Sequence, residues 1–360
     1  MNNACLILSD GSEFFGKSFG YPHSSAGEVV FNTAMTGYPE SLSDPSYTGQ
    51  ILVSTYPLVG NYGVPENIME DGISRLFESD GVKVKGLVIS EYSEAYNHWN
   101  AKYSLGDWLN AYKVPGIAGI DTRALTRHIR EYGSVTGKIV VKGEDIPFYD
   151  PGLEILQPYV SVERKTETGN GKYRILLVDC GVKHNIIRCL LNRDCTVVRV
   201  PWDYDFSHEA YDGILVSNGP GDPALCVKTI EHLRNALKGS SPVFGICLGS
   251  QLMALASGAK TYKMKYGHRS HNQPVLLKGT ERCFISSQNH GYAVDNSTIS
   301  NDWEPMFINV NDGTNEGIRH NIKPFFSVQF HPEASSGPTD TEFLFDDFIK
   351  LIDHSYIPKI

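Results

Sequence analysis

Short apolar runs alternate with helix-like patterns in the second half of the chain. Strand-like runs begin at Tyr173, Cys195 and Gly213, and amphipathic stretches over 185–191 and 229–237 separate them. A strand that is apolar throughout is typical of a sheet buried on both faces, and alternation of strands with helices favours parallel pairing. We therefore expect this half to form an α/β domain whose central, mostly parallel sheet is flanked by helices.

The first half of the chain has a different pattern, rich in β-branched strand-like runs. Its start reads CLILSDGSEFFGKSFG, in which Asp10-Gly11 separates two strand-like runs as in a hairpin. Helical periodicity is confined to 105–112 and 122–132, and Asp121 is a good N-cap for the second helix. These features predict a strand-rich α/β domain.

A change of composition separates the two halves. Three prolines and the polar run ERKTETGNGK lie between residues 143 and 172, as is typical of a linker or a long surface excursion. We therefore predict an N-terminal domain over 1–142, a linker over 143–172 and a C-terminal domain over 173–360.

Composition and charge exclude some classes of partner. The formal net charge is −9, which argues against a nucleic-acid groove or an anionic membrane surface as partner. No apolar run approaches the ~20 residues of a membrane-spanning helix, and the start shows no secretion signal. The seven cysteines are scattered without a CxxC pair, which favours a reducing compartment. We expect a cytoplasmic protein.

One cysteine stands between two glycines where an apolar strand turns into a helix, in the sequence Gly245-Ile-Cys-Leu-Gly249. This is the Gly-x-nucleophile-x-Gly pattern of a nucleophile elbow. The free N–H groups of the helix would favour the thiolate of Cys247, and the N–H of Leu248 would face a developing oxyanion. A cysteine that ends an apolar strand is more often a small buried hydrophobic residue, and the pentapeptide alone leaves that alternative open.

A cysteine nucleophile needs a base, and a histidine follows the last apolar run in Phe-His-Pro-Glu. His331 and Glu333 lie two residues apart, so in an extended segment both side chains project to the same side. The carboxylate of Glu333 could then orient the imidazole of His331. A third motif, Asn218-Gly-Pro-Gly-Asp-Pro223, follows another strand, and taken alone its two glycines could mark an ordinary turn.

These three motifs, in this order, resemble the class I glutamine amidotransferases. The N-terminal half is similar to the carbamoyl-phosphate synthase small-chain family over GEVVFNTAMTGYPESLSDPSYTGQILVSTYPLVGNYG and GIDTRALTRHIRE. Further similarity lies in LASGAKTYKMKYGHR, SQNHGYAVD and HPEASSGP. The resemblance covers nearly the whole chain.

The resemblance implies a Cys-His-Glu triad that hydrolyses the side-chain amide of glutamine. Cys247 would form a γ-glutamyl thioester, His331 would act as base and then as acid, and Glu333 would orient His331. The implied glutamine-binding residues supply backbone groups or short polar side chains: Ser46, Gly219, Gly221, Leu248, Gln251, Asn289, Gly291 and Tyr292. Taken alone, Ser46 in Asp-Pro-Ser-Tyr could be simply a turn residue.

The resemblance also implies a partner. Ammonia would pass to a large subunit that makes carbamoyl phosphate from bicarbonate with ATP. This chain has neither a Walker motif nor a dinucleotide-binding motif, so we expect it to bind no cofactor itself. His268 and His271 in GHRSH suggest zinc, but no cysteine or carboxylate near them in sequence completes a set, and we expect no metal.

Two other functions fit the same motifs less well. The first is a free-standing glutamine hydrolase, which the N-terminal half disfavours, and the second is a catalytically silent glutamine-sensing module, which the intact triad disfavours. The chain also departs from the family pattern at Ser250, where histidine is common, at Arg269–Gln273, and at Phe330, where glycine is frequent.

Overall fold

A computed structural model describes residues 3–353 of the chain. The described part forms two compact units, of which the first ends at Leu153 and the second begins at Glu154. The predicted boundaries at 142 and 172 stay predictions, and the outermost ends of the predicted domains, 1–2 and 354–360, lie outside the described residues.

The N-terminal unit is built mainly of strands. They are β1 (Asn3–Leu8), β2 (Glu13–Gly20), β3 (Ser25–Asn32), β4 (Gln50–Ser54), β5 (Leu58–Val59), β6 (Val64–Pro65), β7 (Met69–Glu70), β8 (Ile73–Ser74), β9 (Gly86–Val88), β10 (Glu91–Tyr92), β11 (Ala101–Tyr103), β12 (Pro115–Ala118) and β13 (Val135–Val141). Seven of them close into a barrel in the order β1-β13-β3-β4-β9-β12-β2. Closure leaves no open sheet edge, and the inward-facing apolar side chains fill the core.

The predicted hairpin and helices of this unit are confirmed. β1 and β2 pair antiparallel, and Gly11 in their turn has φ +88°. The helices are α1 (Tyr38–Ser43), α2 (Leu105–Ala111) and α3 (Thr122–Tyr132). The carboxylate of Asp121 accepts a hydrogen bond from the N–H of Ala124, as an N-cap does, and Gly133 ends the helix.

The C-terminal unit contains one large sheet. Its strands are β14 (Thr166–Thr168), β15 (Tyr173–Asp179), β16 (Cys195–Pro201), β17 (Gly213–Val216), β18 (Val243–Ile246), β19 (Thr261–Leu277), β20 (Cys283–Val294), β21 (Trp303–Asn309), β22 (Asn315–His320) and β23 (Phe325–Val328). Their order in the sheet is β14-β16-β15-β17-β18-β23-β22-β21-β19-β20.

The middle of this sheet is parallel and its two sides are antiparallel. β16, β15, β17, β18 and β23 run parallel, whereas β14 and the run from β22 to β20 pair antiparallel. The predicted α/β fold with a parallel centre is therefore confirmed, within a sheet that is mixed as a whole.

Helices cover the parallel strands. They are α4 (His184–Leu191), α5 (Val227–Ala236), α6 (Leu248–Ala256) and α7 (Phe343–Ile352). Val243 on β18 joins the core cluster that contains side chains of α5 and α6. The ring of Phe244, the next residue, packs against Phe345 and Phe348 of α7. Since successive side chains of a strand point to opposite faces, β18 is buried on both sides.

The stretch predicted as a linker is partly ordered within the sheet. Thr166–Thr168 forms β14, which pairs antiparallel with β16 at the sheet edge. Gln157 is buried and its side-chain amide donates to the carbonyl of Pro220 at 2.7 Å. Pairing at an edge needs only backbone groups, so the polar composition of this stretch does not prevent it.

No helix among residues 3–353 has the length and hydropathy that crossing a membrane requires.

Candidate active site

Four neighbouring parallel strands end at one edge of the sheet, and a residue of the candidate site follows each of them. In sheet order β15, β17, β18 and β23 lead to Lys183, Gly219, Cys247 and His331. Parallel strands present their carboxyl ends at the same edge, where α/β proteins form their binding crevices. Residues that are far apart in sequence are thereby brought together.

Cys247 lies at a sharp bend between β18 and α6. Its backbone has φ 54° and ψ −104°, a region that residues other than glycine rarely adopt. A Cβ on Gly249 would lie 2.1 Å from the carbonyl oxygen of Val216, and one on Gly245 would lie 2.7 Å from that of Gly249. The two glycines therefore flank the cysteine because the bend packs too tightly against backbone for any side chain.

The Cys247 side chain is 2% exposed and held between two strands. Its backbone N–H donates to the carbonyl of Val328 at 2.8 Å, and its thiol donates to the carbonyl of Asn289 at 3.6 Å. The first backbone N–H groups of α6 follow directly, with Leu248 as the first helical residue. This is the arrangement that a nucleophile beside an oxyanion site requires.

His331 and Glu333 form a buried pair. The Nδ1 atom of His331 lies 2.6 Å from Oε1 of Glu333, and the backbone N–H of His331 donates to Ser287 at 2.9 Å. The Nε2 atom is buried and has no hydrogen-bond partner among the described residues. Burial and the charge of Lys183 lower the pKa of His331, but the Glu333 carboxylate and the nearby Cys247 thiol together raise that pKa above its ordinary value. One ring nitrogen is thus fixed and the other is vacant.

Lys183 completes this cluster, and the sequence motifs did not single it out. Its Nζ lies 3.1 Å from Oε1 of Glu333 and donates to the carbonyl of Ala334 at 2.6 Å. Burial alone would raise the pKa of Glu333, but the charges of Lys183 and His331 hold it below its ordinary value. Glu333 therefore stays ionised in a buried site.

The glycine loop after β17 approaches this edge closely. A Cβ on Gly219 would lie 2.1 Å from the carbonyl oxygen of Cys180. Gly221 has φ +85°, and the side chain of Asn218 accepts a hydrogen bond from the backbone of Lys183 at 3.0 Å. Both glycines are thus required by the backbone path, which leaves their proposed contacts with glutamine as a prediction.

Four predicted glutamine-binding residues lie around the start of α6. Asn289, Gly291 and Tyr292 lie within one four-residue stretch of β20, next to α6. The Nε2 atom of Gln251, on α6, donates to the carbonyl of Tyr292 at 2.8 Å. The structure therefore brings this group together with Cys247, Leu248 and the His331–Glu333 pair.

Comparison with known proteins matches both units. Residues 6–139 match the family model of the carbamoyl-phosphate synthase small chain, CPSase domain, and residues 176–351 match that of the class-I glutamine amidotransferases. The chain belongs to the carbamoyl-phosphate synthase small-chain family.

Its relatives are longer proteins. The chain is 49% identical over 97% of its length to multifunctional protein ura1 of Schizosaccharomyces pombe. It is 50% identical over 97% to carbamoyl-phosphate synthase [ammonia], mitochondrial, of Mus musculus, and 50% over 96% to multifunctional protein CAD of Squalus acanthias. The matches cover 17%, 24% and 16% of those proteins, so the chain spans about a fifth of the length of these curated relatives.

One family position lies in the other unit. Ser46 is in a short 3-10 turn, Pro45–Tyr47, of the N-terminal unit. The carboxylate of Asp44 caps this turn and accepts a hydrogen bond from the backbone N–H of Ser46 at 2.9 Å. Ser46 is a turn residue, as one of the two interpretations of its sequence predicted. Its contact with glutamine stays a prediction.

Two departures from the family pattern are accommodated by packing. Ser250, in the first turn of α6, shares a buried hydrogen bond of 2.8 Å with the hydroxyl of Ser327 on β23. Phe330 is fully buried, and its ring meets that of Phe307 edge-on at 5.2 Å. Both residues point into the protein core, so neither removes a group of the triad.

His268 does meet a carboxylate in the fold, so the expectation that none completes a set there was wrong. The sequence near His268 and His271 offers no carboxylate, but the fold brings Glu316 of β22 to His268 and His290, with ligand atoms within 4.8 Å of one another. The Nδ1 and Nε2 atoms of His268 lie 3.4 Å from Glu316 and 2.9 Å from Asp312. Neither carboxylate is near in sequence, and the expected absence of a metal stays a prediction.

Proposed function

We propose that this chain is the glutamine-hydrolysing part of a glutamine-dependent carbamoyl-phosphate synthase. The observation that carries the proposal is the 2.6 Å pair of His331 and Glu333, whose vacant imidazole nitrogen lies in the buried site of Cys247. A buried thiol with a core role needs neither a strained elbow nor an oriented base beside it.

In the first half of the reaction, the Cys247 sulfur attacks the side-chain carbonyl carbon of glutamine. The oxygen of that carbonyl takes up the negative charge, and the N–H groups of Leu248 and Gly219 stabilise it. His331, protonated at Nε2, gives its proton to the departing nitrogen. The carbon–nitrogen bond breaks, ammonia leaves and a γ-glutamyl thioester remains on Cys247.

In the second half, water hydrolyses the thioester. His331, now neutral, takes a proton from the water as it attacks the same carbon. The carbon–sulfur bond breaks, glutamate leaves, and the cycle returns the thiolate and the protonated imidazole. Glu333 stabilises the imidazolium at both stages, because its carboxylate accepts the Nδ1 hydrogen bond throughout.

The amino and carboxylate ends of glutamine would be held by the other predicted residues. Gly219, Gly221 and Gly291 have no side chain to cover their backbone groups. On β20, Tyr292 follows Gly291 and Asn289 lies two residues before it. Since Nε2 of Gln251 is already engaged by Tyr292, we propose that Gln251 contacts glutamine through its carbonyl oxygen. Ser46 would contribute from the N-terminal unit.

The ammonia would pass to a synthetase partner that uses ATP and bicarbonate. We propose that ATP and its metal ions bind to that partner and that this chain holds no cofactor. The partner is the large subunit or, since the matched relatives are several times longer, a synthetase region of one polypeptide. A cytoplasmic location is part of the proposal, and cell fractionation would test it.

Ammonia release from glutamine tests the proposal. The native chain, Cys247→Ala and Cys283→Ala are compared, with and without the synthetase partner. Cys283 is an exposed thiol on β20 and serves as the matched control. We expect Cys247→Ala to lose glutamine hydrolysis, Cys283→Ala to retain it, and the partner to raise the native rate.

The same experiment distinguishes the alternatives. Unchanged hydrolysis in Cys247→Ala would refute the mechanism. A native rate that does not respond to the partner would favour a free-standing glutamine hydrolase. Glutamine binding without hydrolysis would favour the silent module, a possibility that matters because some relatives carry the name carbamoyl-phosphate synthase [ammonia].

A further inference from the structure

Gln329 lies directly between Gln251 and the Cys247 sulfur. It follows β23, two residues before His331, and is fully buried. Its Oε1 accepts a hydrogen bond from Nε2 of Gln251 at 3.0 Å, and its Nε2 donates to Sγ of Cys247 at 3.7 Å. Neither the sequence motifs nor the family resemblance assigns it a role.

The orientation of the Gln329 amide follows from its neighbours. The carbonyl of Tyr292 can only accept a hydrogen bond, so the Gln251 atom that it contacts at 2.8 Å must be the amide nitrogen. That nitrogen also contacts the Gln329 amide, whose facing atom must therefore be the oxygen. The nitrogen of Gln329 therefore faces the sulfur. The carbonyl of Tyr292 on β20 fixes the orientation of both amides.

The sulfur has a second contact that opposes the thiolate. The carbonyl oxygen of Asn289 lies 3.6 Å from Sγ and can accept a hydrogen bond from the thiol only. Once the proton has left, an oxygen lone pair faces a negative sulfur. A neutral N–H donor on the other contact compensates for this repulsion, because hydrogen bonds to charged groups are stronger than those between neutral groups.

We propose that Gln329 is a further catalytic residue, which donates a hydrogen bond to the Cys247 thiolate and fixes the direction of the sulfur before it attacks. This inference rests on the proposed glutamine hydrolysis. Gln329 also accepts a hydrogen bond from Gln251, so it connects the sulfur to a predicted glutamine-binding residue. Glutamine bound to the carbonyl oxygen of Gln251 would then stabilise the orientation of the two amides in which the N–H of Gln329 faces the Cys247 sulfur.

The first variant keeps the charged groups around the sulfur constant, and the second adds a negative charge. His331, Glu333 and Lys183 form the charged cluster on this side of the sheet edge. Gln329→Met removes the donor without changing any charge and with a similar side-chain volume. Gln329→Glu keeps the shape but replaces the donor by a negative oxygen. The matched control is Gln273→Met. That half-buried amide donates to Ser270 at 2.9 Å and accepts from Asn309 and Asn311 at 3.4 and 3.2 Å.

Two measurements are made on each variant. The first is kcat and KM for ammonia release from glutamine. The second is the rate of Cys247 alkylation by iodoacetamide against pH, read by peptide mapping so that the other cysteines do not interfere. The second measurement reports the state of the sulfur without requiring turnover.

We expect Gln329→Met to lower kcat by about 10- to 100-fold, the range for a lost hydrogen bond to a charged group. The pH at which Cys247 is half-maximally alkylated should rise by about one or more, since a tenfold change corresponds to one pH unit. KM should change less than kcat. Gln329→Glu should be more severely affected than Gln329→Met, and Gln273→Met should match the native chain.

Native kcat and a native alkylation profile in Gln329→Met would overturn the inference. So would a loss of activity that follows the unfolded fraction alone, with an unchanged profile in the folded protein, because that is a packing effect. If Cys247→Ala is inactive while Gln329→Met is native, this inference alone fails. If Cys247→Ala still releases ammonia, the proposed function itself has failed.

Discussion

Two buried histidines of the C-terminal unit each meet a carboxylate, and they differ in what the other ring nitrogen does. In His331, Nδ1 lies 2.6 Å from Glu333 and Nε2 has no partner among the described residues. In His268, Nδ1 faces Glu316 at 3.4 Å and Nε2 lies 2.9 Å from Asp312. Carboxylates raise the pKa of both histidines against the opposing effect of burial.

This difference separates a histidine that can transfer protons from one that holds strands together. A vacant nitrogen can take a proton and release it, provided that the other nitrogen is fixed. A ring with both nitrogens engaged is instead a cross-link, here between β19 and the β21–β22 region. A raised pKa alone therefore does not identify the catalytic histidine, whereas the vacancy does.

Removing the vacant nitrogen should have the largest effect. We expect His331→Asn to lower kcat for glutamine hydrolysis by about 10²- to 10⁴-fold, the usual contribution of general acid–base catalysis. Steady-state ammonia release measures this. The comparison would break if His268→Gln, the matched variant, lost as much activity as His331→Asn while remaining folded.

Removing the positive charge of Lys183 beside Glu333 should have the next largest effect on activity. Lys183→Met leaves a buried carboxylate without one of its two cations, and breaking such a pair costs about 3–5 kcal/mol of unfolding free energy. Because Lys183 helps to hold the pKa of Glu333 low, its loss raises that pKa. Glu333 is then protonated at a higher pH, so the acid limb of the activity profile should move to higher pH.

The matched control is Lys183→Arg, which keeps the charge and should move that limb less than Lys183→Met. Denaturant unfolding and a pH–rate profile of each variant check both effects. Identical acid limbs in the native chain and Lys183→Met would show that Lys183 does not act through Glu333.

Removing the cross-linking histidine should have the smallest effect on activity and a pH-dependent effect on stability. The folded pKa of His268 is raised, so its contribution to stability is fully present below the unfolded value of about 6.5. The contribution is lost as pH rises through the folded pKa. Groups around it are Asp312, Glu316, Arg269 and His290.

We expect His268→Gln to unfold at a lower temperature than the native chain. Its unfolding free energy should be lower by about 1–3 kcal/mol near pH 6, and this gap should narrow as pH rises. Thermal unfolding across pH measures this gap. His128→Gln removes an exposed histidine–Asp10 pair and, as the control, should change stability by less than about 1 kcal/mol. A gap that widens with pH would contradict the role given to His268.

Sequence patterns were sufficient where structure is local. Asp121 and Gly133 bound α3 through their own cap geometry, and Gly245 and Gly249 signal the elbow because backbone contacts forbid a side chain there. His331 and Glu333 form the expected pair, but the expected extended segment is wrong. Pro332 and Glu333 lie in a turn in which the N–H of Ala334 donates to the carbonyl of His331 at 3.1 Å.

Residues joined only by the sheet order could not be predicted in the same way. Lys183 and Glu333 are far apart in sequence, and they meet only because β15 and β23, with two strands between them, end at the same edge of the sheet. The contact of His268 with Glu316 depends on the register of β19 and β21 with β22. Gln329 did carry a local signal, since it is a polar residue inside the apolar run FFSVQF next to His331.

The most direct test of the account is to trap the covalent intermediate. The chain is mixed with glutamine, quenched in acid and digested, and the mass of the peptide that contains Cys247 is measured. The account predicts a γ-glutamyl group on Cys247 in the native chain and none on this peptide in Cys247→Ala, which should also release no ammonia. Ammonia release by Cys247→Ala, or turnover by the native chain without any adduct on Cys247 under rapid quenching, would contradict it.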